Sequence, residues 1–192
     1  MAQIEVIKLI TLLVLLEIVI GGAFPFVFSA FILGAVNQVS AILIGEVRRV
    51  LEIKTPSNSG KAPRVQNIPI YDEFNNLIEM ESLHRVLIPG LGAIILPVVV
   101  WAIGGKVMLG GFLIGVFISG TMLALMMSNA GGSWDNAKKH IEAGAYGGKG
   151  SAAHEASVIS DTVGDPLKDA VAPSMDILMK LIAILAIVLA GA

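Results

Sequence analysis

Long apolar stretches alternate with polar connections along this chain. A membrane-spanning helix needs roughly 20 mostly apolar residues at about 1.5 Å of rise each. Four stretches approach that length: residues 7–36, 87–103, 108–127 and 175–192. The pattern predicts an all-α integral membrane protein with about four transmembrane helices, forming a single unit over residues 1–192. With their polar extensions, the predicted helices cover about 6–53, 86–104, 107–142 and 155–191.

Proline and glycine mark the ends of the short second stretch. Pro89 suits the first turn of a helix, and Gly104 with Gly105 is a natural stop. Lys106 then marks a tight hairpin into the third stretch. Small residues recur inside the stretches, for example at Gly21 and Gly22, and they allow membrane helices to approach closely. We therefore expect these helices to pack against other helices.

The basic residues predict the orientation in the membrane. Ten of the thirteen Lys and Arg residues lie in two connections, residues 45–85 and 135–169. By the positive-inside rule both connections are cytoplasmic, and both termini lie outside. The first connection begins as a helical extension, and residues 56–63 form a loop rich in Ser, Gly, Lys and Pro. The expected location is the cell (inner) membrane.

Composition excludes several function classes. The 192 residues are 55% apolar and 15% charged, which is typical of a protein in a bilayer. A net charge of -2 with scattered basic residues gives no electrostatic case for nucleic-acid binding. The absence of cysteine excludes disulfides and thiolate chemistry. Residues 1–5 lack a basic leader region, so the first apolar run is interpreted as a retained helix rather than a signal peptide.

Charged residues gather again where the third stretch ends. If that helix continues, Asp135, Lys138, Lys139 and Glu142 share one face. Such a row is common on a solvated helix end, where it forms intrahelical ion pairs of little energetic value. That interpretation and a catalytic one are both open at this point.

A second charged row follows and enters the fourth stretch. On an α-helical wheel its six members occupy a sector of about 120° and span about 28 Å along the axis. They are Asp161, Asp165, Lys168, Asp169, Asp176 and Lys180. The deepest two would lie in the hydrocarbon, where ionisable groups usually mark an ion path or a buried pair. The alternative is a lone packing pair between Asp176 and Lys180, which leaves the aspartates nearer the surface unexplained.

Aspartates and lysines at a membrane surface suit a phosphate substrate bound with Mg²⁺. Carboxylate oxygens bind the ion, lysines neutralise phosphate, and a carboxylate can deprotonate the attacking water. Residues 144–151 lack the glycine spacing of a P-loop and are interpreted as a flexible cytoplasmic hairpin. The three histidines have no metal-ligand spacing. Glu17 lies within the first stretch, either as a functional intramembrane acid or as an interfacial residue.

Several motifs resemble the membrane-integral, ion-translocating pyrophosphatases. They include residues 129–139 (Asn-Ala-Gly-Gly-Ser-Trp-Asp-Asn-Ala-Lys-Lys), 164–169 (Gly-Asp-Pro-Leu-Lys-Asp) and 173–180 (Pro-Ser-Met-Asp-Ile-Leu-Met-Lys). Upstream, residues 21–30 and 46–49 resemble the two preceding helices of the family. The likeness covers nearly the whole chain, as helices thirteen to sixteen of a sixteen-helix fold. Residues 170–172 depart mildly from the family pattern.

The resemblance implies hydrolysis of Mg-pyrophosphate on the cytoplasmic side, coupled to outward pumping of H⁺ or Na⁺ by an enzyme that is a homodimer when complete. Asp169 would help to hold the nucleophilic water. The other roles implied by the resemblance fall into three groups. Metal ligands would be Asp135, Asp161 and Asp165; phosphate contacts would be Lys138 and Lys168; the ion gate would include Asp176 and Lys180.

The family's earlier helices, with the second water-binding aspartate and most of the gate, have no counterpart in this sequence. The chain alone is therefore expected to be inactive and to need those N-terminal helices as its partner. The pumped ion and any K⁺ requirement are determined there. Two alternatives use other mechanisms: a four-helix subunit of a secondary ion transporter, with Asp176 and Lys180 as a coupling pair, and a non-catalytic fragment that only packs.

Overall fold

The computed structural model describes residues 2–54 and 71–191, with side chains for residues 11–49, 75–76 and 78–191. The loop predicted at 56–63 lies outside these ranges. The described residues form four α-helices and no strand. Helix α1 covers Ala2–Lys54, α2 Tyr71–Glu142, α3 Ala152–Asp165 and α4 Ala172–Gly191. A π-helical turn, Pro166–Val171, joins α3 to α4 without a break.

Helix α2 folds back on itself at Gly105. This residue has φ 65° and ψ -161°, a conformation that glycine adopts without the steric cost of a Cβ. Phe24 on α1 contacts Phe112, with ring centroids 6.1 Å apart, and also lines a groove with Leu96. A straight helix would place residues 96 and 112 about 24 Å apart. The two halves of α2 therefore form the hairpin that the glycines and Lys106 predicted.

Three continuous helical segments in the described residues are long and apolar enough to cross a membrane. They are Thr11–Arg49, Ile78–Glu142 and Ala152–Gly191. Because the middle segment is a hairpin, it contributes two apolar helices, which makes four. The prediction of an all-α membrane fold with about four transmembrane helices is confirmed.

One helix is longer than the sequence indicated. The prediction began the second helix near residue 86, whereas α2 begins at Tyr71. The extra turns are polar, so a hydropathy pattern does not detect them. Contacts along and across the helix support them instead: Arg85 pairs with Glu81 one turn earlier, at 3.1 Å, and also hydrogen-bonds the side chain of Gln38 on α1.

Helices α1 and α2 meet backbone to backbone. A β-carbon built on Gly21 would lie 2.1 Å from the carbonyl oxygen of Phe112, and one on Gly115 would lie 2.1 Å from that of Ile18. No larger residue fits at either position unless the helices separate. In an apolar bilayer the hydrophobic effect does not drive two helices together. Small residues therefore stabilise the pair by allowing close van der Waals packing.

The core lies between the second half of α2 and α4. Phe112, Val116, Met175, Leu178 and Ile182 are completely or almost completely buried there. This packing holds the π-helical turn and the end of α3 beside the last turns of α2. The first charged cluster and the part of the second that precedes α4 are thereby brought together at one end of the helix bundle.

Candidate active site

A tight connection aligns the end of α2 with the start of α3. Residues 143–151 reverse the chain through a short 3₁₀ turn, Ala145–Gly147, with four glycines at positive φ. Ser151 caps α3 by accepting a hydrogen bond from the amide of His154, and His154 lies 3.3 Å from Glu142. The segment that was interpreted as a flexible hairpin is therefore a turn with defined hydrogen bonds and side-chain contacts.

Two glycines set the distance between α2 and α3. A β-carbon on Gly131 would lie 2.5 Å from the carbonyl oxygen of Gly164, and one on Gly164 would lie 2.9 Å from the Trp134 ring. The helices thus approach as closely as their backbones permit. This contact allows lysines from either helix to reach aspartates on the other.

The first pair across this contact joins Lys138 on α2 to Asp161 on α3. Asp161 is only 5% exposed, and its Oδ1 atom is buried with no hydrogen-bond partner in the described part of the chain. A buried carboxylate oxygen normally has a hydrogen-bond donor or a cation as its partner. Asp161 therefore has one oxygen bound to Lys138 and one buried oxygen without a partner among the described residues.

Lys168, on the π-helical turn, is the centre of the cluster. Its Nζ lies 3.3 Å from Asp135, 3.4 Å from Asp165 and 3.8 Å from Asp169. Asp135 also accepts from Lys139 at 2.9 Å, one turn later on α2. Asp135 is thus held between two lysines, one from each side of the helix contact. The spacing of Asp135 and Lys139 produces an intrahelical pair, but Lys138 and Lys168 make contacts between helices.

The prediction of a single α-helical row of six charged residues is wrong beyond Asp165. The turn Pro166–Val171 is π-helical, and the amide of Ala172 donates to the carbonyl of Leu167, an i to i-5 bond. Proline inside a helix removes one backbone hydrogen bond and crowds the carbonyl four residues earlier, which favours such a distortion. One extra residue in the turn rotates all later positions by roughly 100° relative to α3.

The row consequently divides between two grooves. Lys168 and Asp176 line a groove of about 390 Å³ between α4 and the second half of α2. Asp169, with its side chain 66% exposed, lines a groove of about 410 Å³ that also includes Ser40 of α1 and Ser82 of α2. Asp169, which is expected to hold the nucleophilic water, therefore lines a different groove from the one that contains Asp176.

Asp176 and Lys180 form an ion pair of their own. Their charged atoms lie 3.7 Å apart, and the side chains are 64% and 74% exposed. They do not contact the cluster around Lys168. Since a pair this open to the membrane is costly, the surface that contains it is suited to contact with further helices.

The described residues supply suitable magnesium ligands, but too few of them. No group of three or more Asp, Glu or His side chains in the described ranges is positioned to hold a metal ion. Asp135, Asp161 and Asp165 bind lysines instead. Carboxylate oxygens are the ligands that Mg²⁺ prefers, and the buried Oδ1 atom of Asp161 would have to become accessible to serve as one. An octahedral ion needs about six ligands, so the rest would come from substrate, water or other segments.

Sequence reasoning missed the residues that position the site. It did not assign a role to Gly131 and Gly164, although small residues on both sides of the acidic motifs were a visible signal. The packing of the Trp134 ring against Gly164 was also not anticipated. The contact of His154 with Glu142 was not anticipated from the sequence either.

Comparisons with known proteins agree with the motifs. A family model described as inorganic H⁺ pyrophosphatase matches residues 1–189. The chain is 42% identical over 188 residues to a putative K⁺-stimulated pyrophosphate-energized sodium pump of Clostridium tetani, covering 98% of this chain and 27% of that protein. It is 42% identical over 174 residues to a K⁺-insensitive pyrophosphate-energized proton pump of Methanosarcina mazei, covering 91% and 25%.

A K⁺-stimulated pyrophosphate-energized sodium pump of Thermotoga maritima is 40% identical over 172 residues, covering 88% of this chain and 23% of that protein. The chain thus spans about a quarter of the length of the curated relatives it matches. The relatives named here include both sodium and proton pumps, and both K⁺-stimulated and K⁺-insensitive proteins.

Proposed function

Because this chain belongs to the inorganic H⁺ pyrophosphatase family, we propose that it supplies part of the catalytic site and ion gate of a membrane pump that hydrolyses Mg-pyrophosphate to two phosphates. The supporting observation is Lys168, whose Nζ lies within 4 Å of three aspartates at one end of an apolar bundle. Such a cluster matches a substrate that brings both negative phosphates and positive metal ions.

Substrate binding would exchange the partners within this cluster. Without a ligand, the lysines and aspartates neutralise one another. With Mg-pyrophosphate, Lys138 and Lys168 would bind phosphate oxygens, which accept strong charge-assisted hydrogen bonds. Bound Mg²⁺ would neutralise pyrophosphate charge and polarise its oxygens. The aspartates released from the lysines would be Asp135, Asp161 and Asp165, which we propose as this chain's share of the metal ligands.

Asp169 is the proposed base of the chain. Its side chain is largely exposed, and its distance to Lys168, 3.8 Å, is the longest of that lysine's three contacts. It therefore keeps lone pairs available to orient a water molecule and accept its proton. Serines on three helices line the same groove and could hydrogen-bond that water: Ser40, Ser82 and Ser174.

The remaining parts of the site would come from segments that the longer relatives contain. We propose that these segments cover the exposed face of α4 and pair with Asp176 and Lys180, which then act as a gate for H⁺ or Na⁺. The complete enzyme would be a homodimer in the cell membrane, with the residue 143–151 turn in the cytoplasm. Mg²⁺ is its proposed cofactor, and a K⁺ requirement would depend on those other segments.

Reconstitution tests this proposal. The chain is co-expressed with the first three quarters of the Clostridium tetani relative, and phosphate release from Mg-pyrophosphate is measured in isolated membranes. We expect turnover from the pair and none from either part alone. The control is Asp169→Asn in the same pair, which should be inactive. Equal phosphate release from the pair and from the Asp169→Asn pair, or none from a pair that assembles, would contradict the proposal.

A further inference from the structure

Glu17 is a buried acid that the proposed site does not use. It lies within the apolar segment of α1 and is 6% exposed. Its Oε2 atom is inaccessible and has no hydrogen-bond partner among the described residues. The Glu17 Cβ faces Gly111 on α2, 3.4 Å from the position that a β-carbon there would occupy. The carboxyl therefore lies in the interface between the two helices, away from the lipid-facing surface.

The backbones of α1 and α2 are in close contact beside Glu17. A β-carbon on Gly111 would lie 2.9 Å from the carbonyl oxygen of Val14, and one on Gly115 would lie 2.1 Å from that of Ile18. The two backbones are thus in contact on both sides of Glu17 along α1. Even one added carbon atom requires the helices to separate.

Among the side chains that the structure describes on α1 and α2, no positive charge is paired with Glu17. Lys8 is nine residues earlier on α1, about 14 Å along the axis. Lys106, at the hairpin, is exposed and lies five residues from Gly111, about 8 Å along α2. The other half of α2 has no ionisable residue over 86–105.

Helix α4 offers no partner either. Residues 181–191 contain no ionisable group. Lys180 precedes them, is exposed, and pairs with Asp176. Additional helices cannot approach the Oε2 atom from outside, because this chain already buries it completely. The environment of the Oε2 atom is therefore formed by this chain itself.

We propose that Glu17 is an intramembrane proton-binding site, whose carboxyl holds a proton while α1 and α2 are packed and releases it to water only when they separate. An unpaired carboxylate in an apolar interface costs far more free energy than a neutral carboxylic acid, which can also donate a hydrogen bond to a nearby carbonyl. The ligand is a proton, and the site forms from two helices of this chain. The inference does not depend on pyrophosphate hydrolysis.

Infrared spectroscopy of the full chain in phosphatidylcholine vesicles tests the proposal. At mildly alkaline pH, a carboxylic acid C=O band that shifts with isotope-labelled glutamate and depends on residue 17 would come from Glu17. We expect this band in the unmodified chain and in Glu155→Gln, which alters an exposed glutamate. It should be lost in Glu17→Gln. No band in the unmodified chain, or a band that persists in Glu17→Gln, would overturn the proposal.

Two further variants test whether the protonated state of Glu17 depends on helix packing, and whether loss of the band could instead result from misfolding. In Glu17→Asp the band should respond to labelled aspartate instead of labelled glutamate, which identifies the residue without removing the acid. In Gly115→Val the helices must separate, so the band at mildly alkaline pH should be lost. Gly110→Val is the matched control, because a β-carbon on Gly110 meets nothing within 4 Å. Equal bands in the two valine variants would contradict the dependence on packing.

Discussion

Gly131 on α2 and Gly164 on α3 touch through their backbones, and a β-carbon on Gly131 would lie 2.5 Å from the carbonyl oxygen of Gly164. The ion pairs between Lys138 and Asp161 and between Lys168 and Asp135 cross the same two helices. The geometry of the charged cluster therefore depends on two residues that have no charge.

The first prediction concerns this contact. Gly131→Ala should push α2 and α3 apart and destabilise the chain by roughly 1–3 kcal/mol, as expected for an overpacked interface. It should also lower pyrophosphatase activity in the reconstituted enzyme, because the cross-helix pairs lengthen. Thermal unfolding in detergent and phosphate release measure the two effects.

Gly132→Ala is the matched control, because a β-carbon on Gly132 meets nothing within 4 Å. It should leave activity unchanged and maintain or slightly raise helix stability, since alanine is the better helix former. If Gly131→Ala behaves like Gly132→Ala, the close contact between α2 and α3 does not position the cluster.

The second prediction distinguishes two adjacent lysines. Lys138→Met leaves Asp161, a buried carboxylate, without its partner, and the cost of an uncompensated buried charge is high. Lys139→Met removes only an exposed intrahelical pair with Asp135, which contributes little. We expect a clear fall in melting temperature for Lys138→Met and a small one for Lys139→Met.

A double-mutant cycle between Lys138→Met and Asp161→Asn completes this test. The two single changes should be strongly non-additive, because each removes the same contact. The same cycle with Lys139→Met in place of Lys138→Met should be close to additive. Additive behaviour in both cycles would show that the pair between Lys138 and Asp161 has no special importance for stability.

Features that depend on local composition could be predicted from the sequence. Apolar length alone indicated the membrane helices, and the pair Gly104 and Gly105 indicated the hairpin. Both signals act over a few neighbouring residues, so no knowledge of tertiary contacts was needed. The polar first turns of α2 were missed for the complementary reason: contacts such as that of Arg85 with Gln38, 47 positions apart, support them.

The charged row shows where sequence reasoning fails. Its membership was readable from residue type, and Lys168 does contact two of its aspartates, Asp165 and Asp169, together with Asp135 from α2. Its placement around the helix was computed at a constant α-helical angle, which fails at the π-helical turn of Pro166–Val171. Proline is a cue for a distortion, but whether a kink, a break or a π-turn results depends on packing against neighbouring helices.

The third prediction concerns topology. The chain has no cysteine, so single cysteines can be introduced without background labelling. Lys149→Cys and Lys106→Cys alter exposed residues in the turn between α2 and α3 and at the α2 hairpin. The positive-inside rule predicts that the basic connections are cytoplasmic. In intact cells an impermeant maleimide should therefore label position 106 directly and position 149 only after permeabilisation. The reverse pattern would invert the proposed orientation.

The last prediction separates chemistry from coupling along the final helix. Asp169→Asn should abolish hydrolysis and pumping together, because the amide cannot accept a proton from water and loss of a positioned base costs about 10² to 10⁴ in rate. Lys180 lies eleven residues deeper, about 16 Å at helical rise, which is too far to contact phosphate. Lys180→Ala should keep substrate binding near normal but lower the number of ions moved per pyrophosphate, since its pairing with Asp176 and with acids on other segments would resist passage of charge.

Hydrolysis and ion uptake, measured in the same inverted vesicles of the reconstituted enzyme, test both roles. Lys180→Arg is the matched control, because it keeps the positive charge beside Asp176, and it should transport more ions per pyrophosphate than Lys180→Ala. A wild-type ratio of transport to hydrolysis in Lys180→Ala would remove Lys180 from the gate. Wild-type turnover in Asp169→Asn would remove Asp169 from the chemistry. Because the two residues face different surroundings, with Asp169 in the groove shared with α1 and Lys180 on the exposed surface of α4, either result is interpretable without the other.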